Sequence, residues 1–82
     1  MSVTKKKTIK HFRKDAELKE IGQNIKKFRE LRGYTQSELA FMCGDKDWSQ
    51  ISRMERGVVN FSISYFLLVS EKLEVSAKDL LP

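Results

Sequence analysis

The stretch TQSELAFMCGDKDWSQISRMERG, residues 35–57, holds two helix starts separated by a glycine turn. In Thr35-Gln36-Ser37-Glu38 the threonine hydroxyl can accept from the Glu38 amide while the Glu38 carboxylate reaches back to the Thr35 N–H. This reciprocal pattern opens a helix. A short helix over residues 36–43 follows, with Leu39, Ala40 and Cys43 inward and Gly44 as its stop. Gly44-Asp45-Lys46 makes the turn. The capping pattern recurs in Asp47-Trp48-Ser49-Gln50, with Asp47 at the N-cap and Gln50 three residues on. The second helix covers residues 48–56, with Ile51 and Met54 inward, and Gly57 ends it in a position suited to positive φ. Two short helices joined by a tight glycine turn form a helix-turn-helix candidate.

Upstream, Leu18, Ile21, Ile25, Phe28 and Leu31 recur at spacings of three and four, one helical stripe. Asp15 is its expected N-cap and Gly33 its C-terminal stop, so the first helix covers residues 15–32. Lys19, Lys26, Lys27, Arg29 and Arg32 decorate the outer face. Downstream, Ser62 caps a helix over residues 63–72, and Ser76 with Asp79 caps a last short helix ending near Leu81. Seven of the nine residues from Phe61 to Val69 are apolar, so this fourth helix is either central or half covered by another chain. Ile63, Phe66, Leu67, Ser70 and Leu73 fit its inward face. Phe61, Tyr65 and Leu68 fall on a second stripe, which either covers the core or meets a second copy. Cys43 reads as a small buried hydrophobe rather than a reactive thiol.

The 82 residues suffice for one small domain, and the formal charge is +5. That excess belongs to one end. Residues 1–14 carry Lys5, Lys6, Lys7, Lys10, Arg13 and Lys14 with no acid, while residues 15–82 hold ten bases against eleven acids. The chain therefore divides into a basic, flexible N-terminal arm (1–14) and a helical domain (15–82). The arm is either a solubilising tail or an extension that adds phosphate contacts. A single cysteine and a single histidine, His11, exclude a disulfide framework, a thiolate zinc cluster and multi-histidine metal sites. No apolar run approaches the roughly 18 to 20 residues of a membrane span, and no signal peptide follows the basic start. A cytoplasmic location follows as the expectation.

The order of helix, T-Q-S-E-L-A, glycine turn, I-S-R-M-E-R-G, N-F-S-I, apolar helix and L-E-V-S resembles the phage-repressor-like (Cro/C1-type, XRE-like) helix-turn-helix family. The resemblance spans residues 21–81. It implies an all-α bundle of four to five short helices, the lambda-repressor-like DNA-binding domain, in which a pseudo-palindromic operator is bound by a homodimer. The second motif helix then enters the major groove with its first residues toward base edges. Trp48, Ser49, Gln50 and Arg53 take the base-facing roles; Arg53 suits a bidentate grip on guanine. Trp48 either presses on a thymine methyl or sugar–phosphate edge, or packs against the turn beside Lys46. The resemblance assigns phosphate contacts to Gln36 at the start of the second helix, with Lys46, Arg56, Asn60 and Ser62 around the turn and following loop. It also makes Arg29 and Glu55 an internal ion pair between the first and third helices.

Two departures from the family pattern stand out. Gly44 to Ile51 is seven steps where six are common, and Asp45-Lys46 replaces the usual apolar turn residue. Val58-Val59 stand where many relatives place basic residues. These valines can join Phe61, Tyr65 and Leu68 in a dimer patch, since an unpaired apolar stripe is a liability on a monomer. The expected function is a sequence-specific DNA-binding transcription regulator. The alternative is an antitoxin-like or other protein-interaction module on the same fold. An enzyme is not indicated: there is no nucleophile–base pair, no phosphate-cradling loop, no cofactor or metal motif and no evident small-molecule site.

Overall fold

The computed structural model describes residues 14–82; the basic arm, apart from Lys14, lies outside the described residues. Five helices follow in order: α1 (Asp15–Arg32), α2 (Gln36–Met42), α3 (Ser49–Arg56), α4 (Ile63–Leu73) and α5 (Ala77–Leu80). Their inward side chains form one core of Ile21, Ile25, Leu39, Ala40, Cys43, Ile51, Met54, Phe66, Val69, Leu73 and Leu80. Leu18 is buried beside it, whereas Leu31, the last residue of the expected stripe, is exposed.

The α1–α3 crossing is close because α1 carries Gly22 at the contact. A Cβ built there would lie 2.3 Å from the Met54 carbonyl oxygen and 2.5 Å from that of Glu55. No side chain larger than hydrogen fits. At the other end of α1, Arg32 stays exposed and reaches across to the end of α4: its Nε donates to the Leu73 carbonyl at 2.7 Å and its Nη2 to that of Glu74 at 3.2 Å. A guanidinium at the last carbonyls of α4 satisfies acceptors that the helix leaves open. Asn24 does the same for α5, donating from Nδ2 to the Leu80 carbonyl at 2.9 Å. Thus α3, α4 and α5 each pack on α1, while α2 packs on α3 and α4.

The helix starts are those of the capping residues, with two corrections. Thr35 and Glu38 satisfy each other at 3.0 and 2.8 Å, Ser62 Oγ accepts from the Tyr65 N–H at 3.0 Å, and the Asp79 carboxylate accepts from both the N–H and the hydroxyl of Ser76. Asp15, however, is already helical, and Lys14 occupies the N-cap without a side-chain capping bond. Nor does Asp47 cap α3 from the N-cap. Trp48 stands there in a helical-like conformation, and Asp47 one residue earlier accepts from the Ser49 N–H at 2.8 Å.

On α4, Phe66, Ser70 and Leu73 face inward as expected, but the edges of the buried face differ. The buried side is Phe66, Val69, Ser70 and Leu73, while Ile63 and Leu67, expected inward, are 70% and 49% exposed. Val59, Phe61, Tyr65 and Leu68 instead lie half-buried against the core, and Val58 is exposed. Phe61, two residues before the helix, folds back and stacks on Phe66, with ring centroids 5.5 Å apart. Among the described residues no helix is long and apolar enough to cross a membrane.

Candidate nucleic-acid interface

The connection between α2 and α3 and the first turns of α3 enclose a shallow polar hollow lined by Asp45, Lys46, Asp47, Ser49, Gln50 and Arg53. Three of the four base-reading candidates, Ser49, Gln50 and Arg53, line it, with the ammonium-bearing Lys46 on its rim. Trp48 is half exposed at the N-cap of α3 rather than inside its first turn. Ser49 and Gln50 are half-buried, and Arg53 is exposed. The hollow offers an ammonium, a guanidinium, a carboxamide and a hydroxyl to a ligand. Two carboxylates share it. That of Asp47 is held below the usual carboxylate range by the N–H and hydroxyl of Ser49, with the Arg53 charge adding to the effect.

A second set of bonds fixes α3 from behind. Arg29 Nε donates to Glu55 Oε2 at 2.6 Å, and Nη2 donates to Oε1 at 3.1 Å, a two-point grip. Nη1 of the same guanidinium donates to the Tyr34 carbonyl at 2.8 Å. Gln36 Nε2 donates to Glu55 Oε1 at 2.9 Å. The Glu55 side chain is only 4% exposed, so its charge is compensated almost wholly by these donors. The Arg29 pKa is raised above its ordinary value, chiefly by the bond to Glu55. One network therefore joins α1, the start of α2 and the end of α3. Gln36, assigned a phosphate from the resemblance, spends one amide hydrogen on it and keeps the other.

The remaining phosphate candidates lie around the exit of α3. Arg56 is exposed and rests its Nε 3.4 Å from the Ser52 carbonyl; Asn60 is exposed in the following loop; Ser62 is the acceptor that caps α4. Lys26 and Lys27 are exposed on α1, while Arg29 and Arg32 are committed to internal partners. The cationic surface open to a ligand is thus smaller than the residue count implies.

Among the contacts that sequence reasoning missed, one bears on the turn. The Tyr65 hydroxyl of α4 donates to Asp45 Oδ2 in the turn. Burial, and then this bond, push the Tyr65 phenol well above its ordinary range. Burial and the Asp45 charge likewise raise the neighbouring Cys43 thiol. Nothing local announces a bond between residues 20 apart; only the oddity of an acid where relatives carry an apolar turn residue pointed to the position. Gly22 was also missed, although a glycine inside a helical stripe is a recognised sign of close backbone approach. Among the described residues no group of acids, histidines and cysteines could hold a metal ion.

The sequence profile of a helix-turn-helix family matches residues 25–80. Among solved structures, the chain is similar to the restriction-modification controller protein C.AhdI from Aeromonas hydrophila. The two are 32% identical over 77% of this chain and 94% of that one, with a TM-score of 0.72. It is 43% identical to SinR, a master regulator for biofilm formation solved in complex with DNA, over 73% of this chain and 95% of that one, with a TM-score of 0.67. A hypothetical transcription factor from Neisseria, NHTF, covers more of the chain, 93%, with 87% of its own length covered, at 28% identity and a TM-score of 0.73. Curated protein sequences yield no match.

Proposed function

The chain belongs to the helix-turn-helix family of DNA-binding transcription regulators, and on that premise we propose that it reads a pseudo-palindromic operator as a homodimer through α3. The observation that carries this reading is the hollow at the start of α3. There Ser49, Gln50 and Arg53 present hydrogen-bonding groups together, on a helix whose other end is fixed by Arg29, Gln36 and Glu55. A rigid helix with mobile polar tips is what base-edge recognition requires. Arg53 grips guanine, Ser49 and Gln50 read the flanking bases, and Trp48 lies against the sugar–phosphate edge. Gln36, Lys46, Arg56, Asn60 and Ser62 contact phosphates on either side.

The dimer contact in this reading centres on the exposed apolar face of α4. Ile63 and Leu67 stand one turn apart on the same side of the helix. Val58 joins them, with the outer edges of the half-buried Val59, Phe61, Tyr65 and Leu68 behind. Two such subunits place their α3 helices about 34 Å apart, one turn of the duplex. The basic arm adds phosphate contacts without sequence preference.

Selection of bound sequences from a random DNA pool tests the reading. Recovery of an inverted repeat with half-sites one helical turn apart is the expected result. Arg53→Ala then relaxes the preference at one position per half-site. Removal of residues 1–13, which spares the Lys14 carbonyl that receives the Leu18 N–H, lowers affinity for all sequences and flattens its salt dependence. A second reading, a protein-interaction module on the same fold, draws on the outer side of α2. There Phe41 is 79% exposed beside Tyr34 and Met42. A solved complex of SinR with the protein SinI is 43% identical to this chain over 73% of it and 58% of that one, with a TM-score of 0.67. No DNA binding at low salt would leave that module and remove the regulator.

A further inference from the structure

The two ends of α3 are held by different devices. Its C-terminal half is fixed from α1, by Arg29 on Glu55 and by the Met54 and Glu55 carbonyls lying against Gly22. Its N-terminal end is held in the core by Ile51 but has no comparable polar tie: the Trp48 side chain makes no cap, and the Ser49 N–H is met by Asp47 from the same connection. What holds the connection is Asp45. Its N–H donates to the Ala40 carbonyl at 2.9 Å, and its carboxylate accepts the Tyr65 hydroxyl from α4. We propose that Tyr65 and Asp45 form a latch that sets the placement of residues 43–48 and so determines which of Ser49, Gln50 and Arg53 reach the bases. The proposal rests on the DNA-binding reading above.

Tyr65 is a positioning residue in this scheme, for its ring packs on the core and the hollow is lined by other side chains. A phenylalanine would pack the same ring; only the hydroxyl needs Asp45. Asp45, in turn, lines the hollow, where an unrestrained carboxylate would repel the phosphates of an approaching duplex. The phenol draws it back toward α4 and the buried Cys43. A hydrogen bond from a hydroxyl to a carboxylate is of the strong, charge-assisted kind. A connection longer by one residue has more ways of delivering the next helix, and a tertiary bond at its start removes that freedom.

Tyr65→Phe removes the hydroxyl, Asp45→Ala removes the acceptor, and Asp45→Asn keeps an acceptor oxygen. In the free protein, amide resonances of residues 44–50 should move alike in Tyr65→Phe and Asp45→Ala. They should move no further in the double variant and stay nearer the parent in Asp45→Asn. On the selected site, Tyr65→Phe should lose roughly five- to tenfold discrimination against single-base variants under α3. Its salt dependence, which counts phosphate contacts, should match the parent's. Parental resonances in Tyr65→Phe with undiminished discrimination would overturn the latch. Displaced turn resonances in a protein whose parent form prefers no sequence at any salt concentration would uphold the latch as a device of the fold and overturn the DNA reading.

Discussion

Single atoms decide several features of this domain. At Gly22 a methyl group would meet two backbone carbonyls at 2.3 and 2.5 Å, and backbone cannot step aside as a side chain can. Gly22→Ala should therefore cost about 3 kcal/mol or more in urea unfolding. At Gly33, which closes α1 at φ 77° in open space, Gly33→Ala should cost only the left-handed strain, about 1 kcal/mol. Arg29→Ala would strand the buried Glu55 charge and should cost about 3–5 kcal/mol, whereas Arg29→Lys keeps the charge but loses the forked geometry and cannot restore full stability. Tyr65 adds a pH dependence whose sign follows from its raised pKa. The unfolded phenol ionises near pH 10 while the folded one stays protonated, so its contribution is complete below about pH 10 and is lost as pH rises above it. Ultraviolet titration should show a tyrosinate step well above pH 10 that Tyr65→Phe abolishes.

At the level of elements, the capping pairs Thr35–Glu38, Ser62 and Ser76–Asp79 start three helices by bonds within four residues, which is why their positions can be read from sequence. The edges of the buried face of α4 could not be read that way. Phe66, Ser70 and Leu73 are inward as their spacing implies, but the first turns are apolar on several sides, and Ile63 and Leu67 stay exposed while Phe61 stacks on Phe66. A mutational contrast follows. Phe66→Ala should cost about 3–5 kcal/mol, while Ile63→Glu and Leu67→Glu should leave the far-ultraviolet circular dichroism unchanged. In sedimentation at micromolar concentration the two glutamate variants should run as monomers where the parent runs as a dimer. A parent that is monomeric at high concentration would remove the α4 dimer contact.

For the molecule as a whole, the charge of +5 was a poor guide to the interface. Among the bases of the first three helices, Arg29 turns inward to hold α3, and Arg32, though exposed, is bonded to the last carbonyls of α4. What remains around the α3 hollow is Lys46, Arg53 and Arg56, with Lys26 and Lys27 exposed on α1. Binding built on so few described cations should depend visibly on the arm. When residues 1–13 are removed, the slope of log affinity against log salt should become shallower by about one for each phosphate that the arm neutralises. An unchanged slope would relegate the arm to solubility.

The sequence by itself determined the five helices, their order and the turn between α2 and α3, because caps, stops and apolar spacing act over three or four residues. It also pointed to Arg29 and Glu55, through the resemblance of their positions to a known pattern. Only the tertiary structure decided that Ile63 and Leu67 stay uncovered on α4, why Gly22 must be a glycine, and that Asp45 is held by Tyr65. Each of these depends on groups far apart in the chain brought to within a few ångströms, a distance that no local periodicity encodes.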